Sequence, residues 1–364
     1  MPFALKAGRG EKHDGEDFYI NRGGISMTHT AYTKKYTHLI GFVLLLAALV
    51  LLASACGRAE ADSSGGAGPG GKAPSVLRVG YIGANKLNLP SGAEGWGFYK
   101  GGAKEELKKL GITDVQFVGF PNGPDLSESL ISGRIDIGSL GDTPAILARS
   151  AGAPSKVITL NSSGSNAFIL GKKNGPTTLA DLKGKKISVK KGSYMHRYLA
   201  GLLKEQGIKD VQLIHLLDED ADAALVRGEV DAIATTEVRG LKMIPQGFPV
   251  LDEAAKDHPA LVGAGVTVVS ESYLKKVPDI AKVWNDLRIK ALDDLKTQED
   301  AYYAFVVENT GTPLDLVKKT SAVSRIQRES FTDSGIQALK ATKDFLVQDK
   351  LADTDFNVDD WLVK

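Results

Sequence analysis

The sequence predicts an α/β fold made of two related lobes. Each lobe is a mainly parallel sheet flanked by helices, and a helical C-terminal part follows. Three observations predict it. Short β-prone runs alternate with helical segments from residue 76 to residue 240. A segment of the form helix, glycine, strand opened by an acid occurs at Leu130–Ile137 and again at Leu225–Ala232, about a hundred residues later. Beyond Pro278 the chain reads as one helix after another.

The elements follow in order. Leu77–Ile82 alternates and is β-prone, so it reads as a strand. A glycine-rich stretch from Gly83 to Gly97 reads as a long loop, and Lys104–Leu110 as a helix stopped by Gly111. Val115–Val118, Ile135–Gly138 and Val157–Leu160 read as strands. Between them, Asp125–Ser132 is a helix closed by Gly133, and Asp142 opens another that runs to Ser150. Then come strands at Ala167–Leu170, Lys186–Val189, Val211–Leu216 and Asp231–Thr235, with helices at Tyr194–Gln206 and Asp220–Arg227. Thr178–Asp181 fits a capping box. Val266–Ser270 is a further β-branched run, and Pro278–Lys296, Gln298–Asn309, Pro313–Thr320 and Asp333–Gln348 are helical.

The chain begins with segments of a different kind. Residues 1–26 are polar, without apolar periodicity, and read as a disordered or mis-annotated extension ahead of a better start at Met27. Residues 27–55 have the parts of a signal peptide: Lys34 and Lys35, an apolar run from Leu39 to Leu52, then Ala53-Ser54-Ala55. That run is short for a spanning helix, which needs about twenty apolar residues. Cys56 follows directly, a placement that resembles the bacterial lipobox, although Ala53 stands where a leucine is usual. The resemblance implies lipidation of Cys56. Residues 56–75 are a flexible Gly/Ser-rich tether. The body is divided as 76–165 for the first part of lobe I, 166–265 for lobe II and 266–364 for the return to lobe I.

Composition removes several classes. The net charge is +1 and no basic stripe is interleaved with aromatics, so no nucleic-acid partner is expected. Cys56 is the one cysteine, which leaves the body without disulfides, thiol nucleophiles or thiolate metal sites. His196, His215 and His258 are scattered, and no P-loop or nucleophile elbow occurs. The reading is therefore a non-enzyme with no catalytic residue, no metal and no cofactor.

Family-level motifs then appear in order: Phe120-Pro121-Asn122-Gly123-Pro124, Ser132–Asp136, Gly141-Asp142-Thr143-Pro144, Ala151–Pro154, Asp181–Lys186, Lys191-Gly192-Ser193 and Arg227–Ala232. In these the chain resembles class II periplasmic (substrate-binding) proteins of ABC transporters, of the aliphatic sulfonate, taurine and nitrate receptor group. The resemblance implies a two-lobed class II periplasmic-binding-protein fold and a small anionic or zwitterionic solute held between the lobes. It also implies an ABC permease as partner, an extracytoplasmic site on the membrane through a lipid anchor, and a monomer. Two departures touch the expected cleft. Ala234–Arg239 replaces the aromatic and Asp-Pro common in sulfonate receptors, and the first βα loop, Ala84–Gly95, is long. The thiamine-pyrimidine-precursor receptors of the same superfamily are the alternative, with enzymes of that superfamily behind them.

Ligands of open α/β sheets sit outside the carboxyl ends of strands, where helix N-termini offer unpaired N–H groups suited to an anion. The candidate ligand-binding residues follow from that rule. Trp96 and Phe98, following a glycine-rich loop at a strand end, read as pocket wall rather than remote core, with Asn85 and Glu94 as weaker candidates. Asp142 is an N-cap and Thr143 either caps or reaches the ligand. Ser162 and Ser163 lie in a polar link, Asn161–Asn166, that is either the crossover between lobes or an ordinary turn. Ser193 caps and donates, Tyr194 lines the pocket, and His196 packs inside or faces it. Thr235, Thr236, Glu237 and Arg239 end a strand. Arg239 is placed to grip a sulfonate or carboxylate and Glu237 an amine, or the two pair with each other.

Overall fold

The structure is a computed structural model that describes residues 74–364. The 1–26 extension, the 27–55 signal, Cys56 and nearly all of the tether lie outside the described residues. The strands are β1 (Val76–Ile82), β2 (Asp114–Phe120), β3 (Ile137–Gly141), β4 (Ser155–Ser165), β5 (Ala167–Gly171), β6 (Lys185–Ser188), β7 (Val211–Ile214), β8 (Ala232–Thr236), β9 (Val250–Glu253) and β10 (Gly263–Ser270). The first helices are α1 (Gly92–Tyr99), α2 (Gly102–Lys108), α3 (Gly123–Ile131), α4 (Asp142–Ser150), α5 (Tyr194–Glu205), α6 (Asp218–Arg227), α7 (Glu237–Met243) and α8 (Ala254–Asp257). Those after β9 and β10 are α9 (Glu271–Lys276), α10 (Ile280–Thr297), α11 (Glu299–Thr310), α12 (Leu314–Thr320), α13 (Asp333–Gln348) and α14 (Val358–Trp361). Among the described residues no helix is long and apolar enough to cross a membrane.

Two five-stranded sheets form, with orders β2-β1-β3-β10-β4 and β7-β6-β8-β5-β9. Both are mixed. β1 pairs in parallel with β2 and β3, and β6 with β7 and β8, while β10 and β5 are antiparallel to both of their neighbours. The antiparallel strands are those adjoining the crossings between sheets. β4 passes into β5 through Asn166 alone, and β10 returns the chain to the first sheet. The polar link Asn161–Asn166 is therefore mostly strand rather than loop.

Both faces of each sheet are covered, so the core strands read as unbroken apolar runs. In β5 every residue is buried. Ala167 and Ile169 enter one cluster with α5, while Phe168 and Leu170 enter another with α6 and α7. Each large side chain so buried contributes about 1.5–3 kcal/mol. In the first sheet, Leu77 and Val79 pack under α10 with Trp284, and Val266 and Val268 pack against α3, α4 and α13.

The repeated segment has one geometry in both sheets. Gly133 and Gly228 end their helices with φ of 71° and 74°, a backbone region glycine enters without strain. The acids that follow tie into the neighbouring strand alike. Asp136 accepts from the Arg78 backbone N–H at 2.9 Å, and Asp231 from that of Lys186 at 3.0 Å. Each acid's own N–H donates to the carbonyl of that same partner at 2.8 Å. Cations complete both sites, Arg78 on Asp136 and Lys172 on Asp231. The recurrence marks two units of related construction.

One expectation fails in the first loop. Glycine-rich residues up to Gly97 read as loop, yet α1 occupies Gly92–Tyr99. The glycines serve close packing. A Cβ on Gly95 would lie 1.7 Å from the Pro90 carbonyl oxygen, and one on Gly97 would lie 2.9 Å from the Ala291 Cβ.

Candidate functional site

A cavity of about 590 Å³ opens at the carboxyl ends of strands from both sheets. That volume falls within the usual range of small-molecule sites, about 300–1,000 Å³. Helix starts supply much of its lining: Ser91–Ala93 at α1, Asn122 and Gly123 at α3, Gly141 and Pro144 at α4, Ser193–Met195 at α5, and Thr236–Val238 at α7. The first four N–H groups of a helix have no partner within it, so these ends present donors and positive dipole ends.

Local caps fix the geometry. Asn122 accepts from the Asp125 N–H at 2.9 Å and Ser193 from the His196 N–H at 3.2 Å. Tyr194 lies over Gly263, where a Cβ would meet its ring at 2.7 Å, and its hydroxyl donates to the Asn166 carbonyl at 3.0 Å. Asn161 donates to the hydroxyls of Ser139 and Thr267 at 3.0 Å. Gln327 donates to Ser163 at 2.8 Å.

The charged groups of the wall are mostly engaged. Lys190 pairs with Asp218 at 2.9 Å. Arg325, from the returning chain, pairs with Glu237 of the second unit at 2.8 Å and also reaches the Gly164 carbonyl. Glu94 stands apart: it is 6% exposed and its Oε1 has no hydrogen-bond partner. Burial holds its carboxyl above the usual carboxylate range, with the Arg288 guanidinium opposing. Among the described residues no group of three or more His, Cys, Asp and Glu side chains is placed to hold a metal ion.

Of the residues proposed from sequence, Ser162, Ser163, Ser193, Tyr194, Thr236 and Glu237 line this cavity, as do Asn85 and Glu94. The others do not. Trp96 is buried among Tyr302 and Phe305, with its indole donating to Asp294 at 2.7 Å. Phe98 packs edge-on to Phe117 on the far side of the first sheet. Both leave the expected wall because α1 turns them into apolar clusters. Asp142 is the first residue of α4, after Gly141, rather than its cap. Asp142 and Thr143 are buried in a bond network with Arg197, and Thr235 is buried in β8. Arg239 is held by Asp222 and lies near Asp218, so it pairs neither with Glu237 nor with the cavity. Tyr81, Asn122, Lys190, Tyr302 and Arg325 were missed. Asn122 alone carried a signal, as a capping residue two before a proline.

His196 does not line the cavity; its Nδ1 accepts from the Gly192 N–H. Burial lowers its pKa below the ordinary 6.5, with Lys191 adding to the effect. A depressed folded value means the unfolded chain binds more protons at mildly acid pH. The contribution of His196 is then complete above about pH 6.5 and lost as pH falls through the folded value. Thermal melts between about pH 8 and pH 5 are expected to show this loss. The slope shallows in His196→Gln, and an unchanged slope removes His196 as its source.

The sheet orders, two crossings and inter-sheet cavity define the two-lobed periplasmic binding protein fold, which solved structures share. The alkanesulfonate-binding protein SsuA of Xanthomonas axonopodis pv. citri, solved bound to MOPS, superposes with a TM-score of 0.65 at 24% identity, covering 80% of this chain and 99% of that one. The chain belongs to the NMT1/THI5-like family, whose model matches residues 97–297. A protein of Bacillus subtilis (strain 168), provisionally named an aliphatic sulfonates-binding protein, is 27% identical over 88% of this chain and 93% of its own length. A protein of Escherichia coli (strain K12) under the same provisional name is 38% identical, over 44% of this chain. That match spans 49% of the Escherichia coli protein, about half its length.

Proposed function

We propose that this chain is an extracytoplasmic, lipid-anchored solute-binding protein of an ABC importer that receives a small organosulfonate between its two lobes. One observation carries the reading: helix N-termini following strands of both sheets meet at a single cavity. Oriented backbone N–H groups receive an anion without a paired cation, and here Lys190 and Arg325 are already engaged. Binding by two facing lobes makes hinge closure the natural motion, with the crossings at Asn166 and just before Gly263 as its pivots. The names of the relatives support a binding role and the sulfonate class. Lipidation at Cys56 supplies the tether, and a permease takes the solute. The pyrimidine-precursor alternative requires an aromatic sandwich built from Trp96, Tyr194 and Phe98; Trp96 and Phe98 are packed in the core, and of the three only Tyr194 lines the cavity.

Isothermal titration with short alkanesulfonates, nitrate and an aminopyrimidine tests it. A sulfonate is expected to bind with a Kd of about 1 μM or tighter and to raise the melting temperature with the logarithm of its concentration above Kd. Binding of the pyrimidine alone, or turnover of the sulfonate, would contradict the reading.

A further inference from the structure

Two carboxylates occupy equivalent places in the repeated segment. Asp142 and Glu237 each stand six residues after the strand-opening acid of their own unit, Asp136 and Asp231. Each is also the first residue of the helix that follows, α4 and α7. Both are held by an arginine of the opposite lobe: Asp142 by Arg197 of α5, and Glu237 by Arg325 of the returning chain.

Each pair spans one of the two crossings. Arg197 also donates to the Val262 carbonyl, just before Gly263, while Asp142 accepts from the Ala264 N–H just after it. Arg325 also donates to the Gly164 carbonyl at 3.3 Å, just before Asn166. Glu237 follows Thr236, which pairs with Ala167 just after that crossing. In this arrangement the facing loops are in contact, since a Cβ on Gly192 of the second lobe would lie 2.9 Å from Pro124 Cγ of the first.

The two clamps differ in burial. The Arg197 and Asp142 side chains are 2% and 3% exposed, those of Arg325 and Glu237 34% and 18%. Parting the buried pair strands a charge away from water, whereas water and salt can replace the partner in the other. Arg325 also keeps its place without Glu237. It donates to the Lys319 and Thr320 carbonyls at the end of α12, both at 3.3 Å, and nearby Gln327 is bonded to Ser163.

We propose that these reciprocal clamps hold the lobes shut and that Arg325–Glu237 is the releasable one, resting on the two-lobed receptor reading above. Opening parts Glu237 from an arginine that stays fixed on the first lobe, while Arg197–Asp142 remains joined at the other crossing. The open-to-closed balance is therefore set by a contact outside the solute's own bonds.

Spin labels at Glu128→Cys on α3 and Asp220→Cys on α6, both exposed positions, report the distance between lobes by double electron–electron resonance. The full chain is used with Cys56→Ser, so that only the introduced thiols are labelled. Without ligand, Glu237→Gln is expected to raise the open-to-closed ratio by about fivefold, with little change in melting temperature. Salt at about 1 M does the same to the parent, because it screens a half-exposed pair. Unchanged distances in both cases overturn the proposal. A lower melting temperature with unchanged distances also overturns it, as the mark of a brace within the fold. Adding ethanesulfonate separates this from the sulfonate reading. A return of Glu237→Gln to the short distance supports both. No response to ethanesulfonate in either protein counts against the sulfonate reading alone, and the ligand-free distances still decide the clamp.

Discussion

Replacing Arg197 with alanine is expected to lower the melting temperature by about 10 °C, following a loss of about 3–5 kcal/mol. Arg197 on α5 is 1% exposed and lies against the start of α4 from the other sheet. Its Nε donates to the Thr143 hydroxyl at 3.1 Å, and its Nη2 donates to the Val262 carbonyl at 2.7 Å and to Asp142 at 3.4 Å. Asp142 also accepts from the Ala264 N–H at 3.1 Å, at the crossing back to the first sheet. One buried cation thus ties both units to the returning strand. Removing it strands the Asp142 charge, which is 2% exposed. Adding Asp142→Asn is expected to recover part of the loss, with a coupling of about 1–3 kcal/mol in the double-mutant cycle. A loss below about 1 kcal/mol in calorimetric unfolding would show that the pair contributes little.

Gly95→Ala is expected to destabilise by about 1–3 kcal/mol or more, although alanine is the better helix former by about 1 kcal/mol. The new methyl meets the Pro90 backbone oxygen at 1.7 Å, and backbone cannot swing aside as a flexible side chain does. Relief requires α1 to move away from the Pro90 turn, which carries Ser91, Ala93 and Glu94 out of the cavity wall. Ligand affinity is therefore expected to fall together with stability. Urea unfolding checks the first and titration the second. A variant as stable as the parent would mean that α1 is free to shift.

These residues also show where sequence reasoning stops. The strands were legible because β5 is a short apolar run buried on both faces and β10 carries the buried β-branched run Val266–Val269, and such runs have few other fates. The relation between the two units was legible through Asp136 and Asp231, since a short motif repeated with its glycine keeps its backbone geometry. α1 was not, because Gly92, Gly95 and Gly97 are loop residues by propensity and only tertiary contact makes them helical. Trp96 and Phe98 went astray with it. The polar cavity residues on strand-to-helix turns, Ser193 and Thr236, could be placed from topology alone. Arg325 could not, since it comes from a stretch without periodicity and meets Glu237 across 88 residues of chain. Arg239 misled because a cation beside a strand end looks the same whether it faces a ligand or Asp222.

Anomalous diffraction from the sulfur of a bound sulfonate tests the central claim most directly. The account predicts one sulfonate peak inside the cavity, within hydrogen-bonding reach of N–H groups from helix starts of both lobes, near Gly123 and Tyr194. A sulfonate seated elsewhere while that hollow holds only water, in a protein that binds the ligand in solution, would contradict it.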